Sequence, residues 1–219
     1  MPMTEQRVKM VDNQLRPFDV SNYQVLAAFL DIPRELFVPE NKRALAYSDA
    51  EIDIPDGDLL RPMIRPMHLA RMVQAANLNA DSVVLDLGCL TGYSSAILSR
   101  LAGSVLAVEH SDAMVRRATD ALAAADIDTV AMVQGNLADG LAAEGPFDAI
   151  FLAGAIDAVP EALVKQLRED GVLITVLGSG GAGRAVSIHR DGDGHTVVPL
   201  FNCAAPAVPG FEREQAFAF

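Results

Sequence analysis

A chain of 219 residues, 51% hydrophobic and 21% charged, has the length for one large domain with a sizeable core and is too apolar to be disordered throughout. Its formal net charge of −12, from 17 Lys+Arg against 29 Asp+Glu, excludes a general nucleic-acid binder, because no basic stripe is available to neutralise phosphates. Charges or prolines break every apolar stretch short of the ~18 residues a membrane span needs, and the start MPMTEQRVKM lacks the apolar run of a secretory signal.

Residues 1–80 read as an N-terminal helical cap and residues 81–219 as an α/β domain on which the cap packs. In the cap, Ser21 is expected to cap a helix carrying Tyr23, Val25, Leu26, Phe29 and Leu30, with Pro33 marking its end. Ala44 to Pro66 is poor in helical period and rich in acids and proline, so it is expected to wrap over the body without forming a core element. Pro66 opens a further helix with Leu69, Met72, Val73 and Ala76 on its apolar side.

From Ser82 the texture alternates. The runs SVVLDL, SVLAVE, TVAMVQ, FDAIFLA and GVLITVLG are apolar without alternation, as in strands of a parallel sheet covered on both faces. Helical stretches at Tyr93–Leu101, Asp112–Ala125 and Pro160–Glu169 separate them, which makes a doubly wound, mostly parallel α/β sheet. AVSIHR and HTVVPLF flank Asp191-Gly-Asp-Gly194 and add a C-terminal antiparallel hairpin. The tail Ala204–Phe219, with two prolines and three phenylalanines, is expected to pack on the body without regular structure.

In such sheets ligands sit beyond the carboxyl ends of the strands, where strand order reverses. The first strand runs through Asp86 into Gly88-Cys89-Leu90-Thr91-Gly92-Tyr93 and directly into a helix. Gly88 and Gly92 permit a tight turn and close backbone approach, and the helix start offers free N–H groups. Glu109 ends the next strand, 23 residues after Asp86, where an acid accepts both hydroxyls of a ribose. His110 follows it, and Asn136, after the third strand, could hold an adenine edge. An adenosine-containing ligand is the expectation; the plain alternative is that the glycines serve only chain reversal and Glu109 sits at the surface. A dinucleotide fits less well, because the spacing is not Gly-x-Gly-x-x-Gly.

Asp86-Leu-Gly88 leading to Thr91-Gly92-Tyr93 resembles the first motif of S-adenosylmethionine methyltransferases. From about residue 8 to 200 the chain resembles one family, the protein-L-isoaspartate O-methyltransferases. Matching segments are Ile32-Pro-Arg-Glu-Leu-Phe-Val-Pro39, Ala46-Tyr-Ser-Asp49, Pro66 with Leu69, Ala70 and Met72, Val84-Leu-Asp-Leu-Gly88, and Val159-Pro160 with Leu163, Gln166, Leu167, Gly171 and Gly178. The resemblance implies S-adenosylmethionine as cofactor, held by Asp86, Gly88, Cys89, Leu90, Gly92, Tyr93, Glu109, His110 and Asn136. It also implies methyl transfer to a protein or peptide carboxylate, normally that of an L-isoaspartyl residue. No catalytic dyad is required: the acceptor is already ionised at pH 7, and the sulfonium carries its own leaving group. Positioning and exclusion of water are what such a protein must supply.

Three positions depart from the family pattern. Where members carry a Thr-Ile-Ser-Gln-Pro-like segment whose hydroxyl helps hold the substrate carboxylate, this chain reads Pro62-Met63-Ile64-Arg65-Pro66, and Ile64 cannot donate a hydrogen bond. Leu90 replaces the middle glycine of the loop, and Asn136 replaces an Asp. Arg61 and Arg65 could grip an anionic substrate instead, or could face solvent or pair with Asp49, Glu51, Asp53, Asp56 and Asp58. The acidic run itself reads most simply as a solvated loop. Two other functions stay open: a methyltransferase with a different acceptor, and a non-catalytic scaffold that has lost its cofactor.

The remaining candidates are weak. His68, His110, His189 and His195 show no metal-ligand spacing, so no metal is expected. Cys89, at a helix start, could have a lowered thiol pKa, or could simply be a small residue tolerated in a turn. It and Cys203 are too few for a disulfide framework, and a cytoplasmic setting is expected, with no nucleic-acid or membrane partner.

Overall fold

Uninterrupted Val, Leu and Ile runs separated by amphipathic stretches can bury both faces of a parallel sheet under helices, and that is the arrangement here. A computed structural model describes residues 1–178 and 182–211. In chain order its elements are α1 (Met3–Met10), α2 (Tyr23–Asp31), β1 (Ile52–Asp56), β2 (Leu59–Met63), α3 (Pro66–Ala75), β3 (Val83–Leu87), α4 (Tyr93–Leu98) and β4 (Ser104–Glu109). There follow α5 (Asp112–Ala124), β5 (Val130–Gln134), β6 (Phe147–Ile156), α6 (Glu161–Val164), β7 (Leu167–Leu177), β8 (Arg184–Asp191) and β9 (Gly194–Asn202).

The large sheet has the order β5-β4-β3-β6-β7-β8-β9. Strands β3 to β7 are parallel, while β8 and β9 return antiparallel around Gly192-Asp193. The chain winds outward through β3, β4 and β5, then crosses back to set β6 on the other side of β3. The crevice between the carboxyl ends of β3 and β6 is therefore the switch point.

Alternation along β3 feeds two cores. Val84 joins Phe151 and Ile174 beneath Phe29, Phe37 and Met72 of the first 80 residues. Leu85 and Leu87 point the other way, onto Leu152, Leu163 and Leu173.

Several local expectations need correction. The cap of α2 is Asn22, whose side chain accepts from Gln24 and Val25 N–H, and not Ser21. Tyr23 lies off the apolar face, 80% exposed. Within 44–66, β1 and β2 form a hairpin pairing Ile52 with Met63 and Asp56 with Leu59, and Ile52, Ile54 and Met63 are core residues. The alternation of Ile52-Asp-Ile54 and the turn pair Asp56-Gly57 were its signals. The helix expected over 160–169 stops at Val164, because Leu167 already pairs with Phe147 in the sheet. Of the tail, residues 204–211 are described and 206–208 pack on the body; the expectation for 212–219 lies outside the described residues.

Among the described residues no helix is long and apolar enough to cross a membrane.

Candidate active site

Three positive-φ residues shape the turn after β3: Gly88 at +71°, Leu90 at +56° and Gly92 at +88°. The Gly88 N–H donates to Val108 carbonyl at 2.9 Å, and the Gly92 N–H to Cys89 carbonyl at 2.9 Å. A Cβ on Gly92 would come within 3.3 Å of Ala118 and 3.4 Å of Leu122, so this glycine lets the turn press against α5. Asp86 lies beneath the turn, wholly buried, its Oδ2 accepting the Ser94 and Ser95 hydroxyls, each at 2.6 Å. Burial pushes its carboxyl up to about 6, against the pull of those two hydroxyls. Tyr93 points into the N-terminal layer, against Phe29, Phe37 and the Arg34 guanidinium. Asp86, Gly92 and Tyr93 thus brace the turn from behind. Cys89 is buried, and burial, with Asp86 and Glu109 nearby, pushes its thiol up, which leaves it inert.

Glu109 stands where the sheet topology expects a ribose clamp, yet it is fully buried and already held. Arg61, from β2, donates from Nη1 to Oε2 at 2.8 Å and from Nη2 to Oε1 at 3.0 Å, a bidentate pair. The Leu90 N–H donates to Oε1 at 2.7 Å and the His110 N–H to Oε2 at 3.2 Å. Asp56 completes the cluster, its Oδ2 3.4 Å from Arg61 Nη1 and its Oδ1 accepting the Ser111 hydroxyl at 2.6 Å. Burial works against the Arg61 charge, but the hydrogen bonds and charges of Glu109 and Asp56 outweigh it and raise the guanidinium's pKa. Of the alternatives for Arg61, the approach to Asp56 is present, but the guanidinium faces inward and its main partner is Glu109, which was not among the acids expected. Asp56 likewise is buried and not part of a solvated loop.

The other positions separate from this cluster. Ile64 is buried, and its carbonyl accepts from Arg34 Nη2 at 2.9 Å. Arg65, 38% exposed at the start of α3, has Nη1 3.7 Å from Asp49 Oδ2. The exposed Asn136 uses its amide locally, accepting the Ala138 N–H and donating to Asp139. The His110 ring lies half-exposed, Nδ1 3.4 Å from Glu109 Oε2. Among the described residues no cluster of His, Cys, Asp or Glu could hold a metal.

The segment Pro206–Val208 was not anticipated at the site. It lies along the end of β6: the Ala155 N–H donates to Pro206 carbonyl at 2.7 Å, and the Val208 N–H to Ala155 carbonyl at 2.9 Å. A Cβ on Gly154 would meet Val208 Cγ2 at 2.5 Å, and one on Gly88 would meet Val208 Cγ1 at 3.6 Å and Arg61 Nη2 at 3.8 Å. Nothing in small residues between prolines signals such packing.

A doubly wound sheet with a glycine turn at its switch point and an acid closing the neighbouring strand is the build of a Rossmann-like methyltransferase. The family model described as protein-L-isoaspartate(D-aspartate) O-methyltransferase matches residues 5–204. Protein-L-isoaspartate O-methyltransferase 1 of Rhodopseudomonas palustris is 36% identical over 174 residues, 80% of this chain and 70% of that protein. The Methanoculleus marisnigri protein-L-isoaspartate O-methyltransferase is 33% identical over 81% of this chain and 79% of its own length. A solved protein-L-isoaspartate O-methyltransferase superposes with TM-score 0.82 at 26% identity, covering 93% of this chain and 66% of that one. A putative member from Plasmodium falciparum, solved with S-adenosyl-L-homocysteine, shares the fold at TM-score 0.76 and 20% identity. The chain belongs to the protein-L-isoaspartate O-methyltransferase family.

S-adenosylmethionine is the cofactor that goes with this family, and the turn that would approach it keeps Gly88 and Gly92, with Leu90 between them at positive φ. The space beside the turn is not free. Between Arg61, Pro62, Gly88, Leu90, Ala153, Gly154 and Pro206–Pro209 only about 30 Å³ remains, the volume of roughly one water. Drug-sized ligands need roughly 300 Å³ or more. In this conformation that part of the crevice, beside Gly88, has no room for an adenosyl group.

Proposed function

We propose that the chain is an S-adenosylmethionine-dependent protein carboxyl methyltransferase acting on L-isoaspartyl-type acceptors. The observation that carries this reading is the family match over residues 5–204, together with the retained turn Gly88–Gly92 at the switch point. An isoaspartyl side chain is a carboxylate, already ionised at neutral pH, and such an acceptor needs no catalytic base beside the turn.

Ile64, at the position of the family's hydroxyl, is buried and offers no donor. Arg65, one residue on, is partly exposed and held only by a 3.7 Å approach to Asp49, so its guanidinium is available to an incoming carboxylate. Arg61 is not, because both of its terminal nitrogens are on Glu109. Arg65 is therefore the residue we assign to the acceptor. Two cysteines, both buried and free, suit a reducing compartment such as the cytoplasm.

Transfer of a radiolabelled methyl group to an isoaspartyl peptide tests the activity. Arg65→Ala is expected to remove turnover while leaving S-adenosylhomocysteine binding unchanged; full turnover in that variant would discard Arg65. Label on other carboxylates but not on the isoaspartyl peptide would point to a different acceptor. The closed crevice favours a second reading, a scaffold without cofactor, which a complete lack of S-adenosylhomocysteine binding would support.

A further inference from the structure

Three observations meet at the switch point. Glu109, the acid placed for ribose hydroxyls, has both oxygens engaged by one guanidinium. The crevice between β3 and β6 is filled by the chain's own Pro206–Val208, hydrogen-bonded to both sides of Ala155. What remains beside Gly88 is about 30 Å³. The two fillers come from distant parts of the chain, 48 residues before Glu109 and 51–53 after Ala155, yet they meet over one glycine.

We infer that Arg61 and Pro206–Val208 form an intramolecular plug of the adenosyl site, in which the Arg61 guanidinium answers Glu109 in place of ligand hydroxyls and Val208 fills the crevice at Gly88 and Gly154. An adenosine-containing ligand binds only to the fraction of molecules in which both have swung away. Its apparent affinity is lowered by that fraction. Hairpin β1–β2 is the arm that carries Arg61: its strands pair with each other and not with the large sheet, and Ile52, Ile54 and Met63 seat it in the core. Arg61 is thus the residue that sets cofactor admission, and opening the Arg61–Glu109 pair is part of the binding reaction.

This inference rests on the methyltransferase reading, and the test separates the two. Titrate S-adenosylhomocysteine into the full chain, into Arg61→Ser and into Val208→Ala by calorimetry, with thermal unfolding to confirm that each variant is folded. The Val208 variant keeps the buried ion pair, so it remains informative where Arg61→Ser does not fold. A gain in affinity of about tenfold or more in a folded variant supports the plug. Equal or weaker binding in the folded variants, with clear binding by the unaltered chain, overturns the plug and leaves the methyltransferase reading standing. No binding by any of the three overturns both.

Discussion

The guanidinium carbon of Arg34 lies 4.5 Å from the centre of the Tyr93 ring, with both side chains wholly buried. Tyr93 opens the helix that follows the glycine turn, and Arg34 also donates to the Ile64 carbonyl at 2.9 Å. One cation therefore ties the N-terminal layer, the entry to α3 and the turn together. Among the described residues its Nε and Nη1 have no hydrogen-bond partner, and burial lowers its pKa. The ring face offsets part of that cost.

Arg34→Ala is expected to lose about 3 kcal/mol of stability, since it removes the ring contact and the carbonyl bond and leaves a cavity. Arg34→Met, which keeps the volume and buries no charge, is expected to lose about 1 kcal/mol or less. Urea unfolding of the two variants checks this. Equal losses would mean that the charge, and not the packing, carries the contribution.

Asp86 gives the chain a pH dependence with a defined sign. Its carboxyl titrates at about 6 when folded, above the ordinary value of 3.8, because burial disfavours the charge. The folded state then holds the proton more tightly than the unfolded state. The contribution is fully present below about pH 4 and is lost as pH rises through about 6. Two pK units correspond to roughly 3 kcal/mol. The stability of the unaltered chain relative to Asp86→Asn should fall by about that amount between pH 4 and pH 7, measured by urea unfolding at several pH values. A difference that does not change with pH would show that Asp86 remains charged on burial.

The parts of this fold legible in sequence are those governed by local pattern. Val83–Leu87 and the strands after it announce themselves as apolar runs, and Gly88 and Gly92 mark the turn by needing positive φ. Leu90, also at positive φ, shows that the chain tolerates there the strain a glycine would relieve, and no periodicity reveals it. The Ser21 expectation failed by one residue because both Ser21 and Asn22 are good caps, and only the placement of Gln24 and Val25 N–H decides between them. Leu167 to Glu169 continue a helical pattern, but pairing with β6 outweighs it. Sequence leaves Asp56 among the alternatives for Arg61 but misses its main partner, Glu109, for a different reason. Its partner is 48 residues away, and composition cannot say which of many acids a guanidinium meets.

Gly140 is a backbone position that only glycine suits. It sits at φ +60° and ψ −141°, outside the regions open to L side chains. A Cβ there would meet Gln166 Oε1 at 2.4 Å and Leu163 Cδ2 at 2.7 Å. Gln166 in turn accepts the Leu141 N–H at 2.9 Å and donates to Asp139 carbonyl at 2.8 Å, so it cannot withdraw without breaking the turn. Gly140→Ala is expected to cost about 3 kcal/mol or more, through strain and displacement of Gln166. Chemical unfolding measures it; a cost under about 1 kcal/mol would show that the turn relaxes freely.

Gly154 isolates the tail from the rest of the fold. It lies inside β6 with no positive φ, so its backbone accepts any residue, and what opposes a side chain is the tail alone. An added Cβ would meet Val208 Cγ2 at 2.5 Å and Pro206 carbonyl oxygen at 2.8 Å. Gly154 lies in the irregular stretch of β6 between Phe151 and Ala155, past the last pair with β3 at Leu152, and β6 is anchored to β7 from Ala155 on. The segment 206–208, held at Ala155 by two hydrogen bonds, is the more weakly held of the two and moves first. Gly154→Ala should therefore speed amide exchange at Val208 and expose the chain after Cys203 to limited proteolysis, while protection of the β6 and β7 amides persists. Unchanged protection at Val208 would mean that the segment shifts by a few tenths of an ångström and stays seated. Loss of protection throughout β6 would mean that the tail is part of the cooperative core.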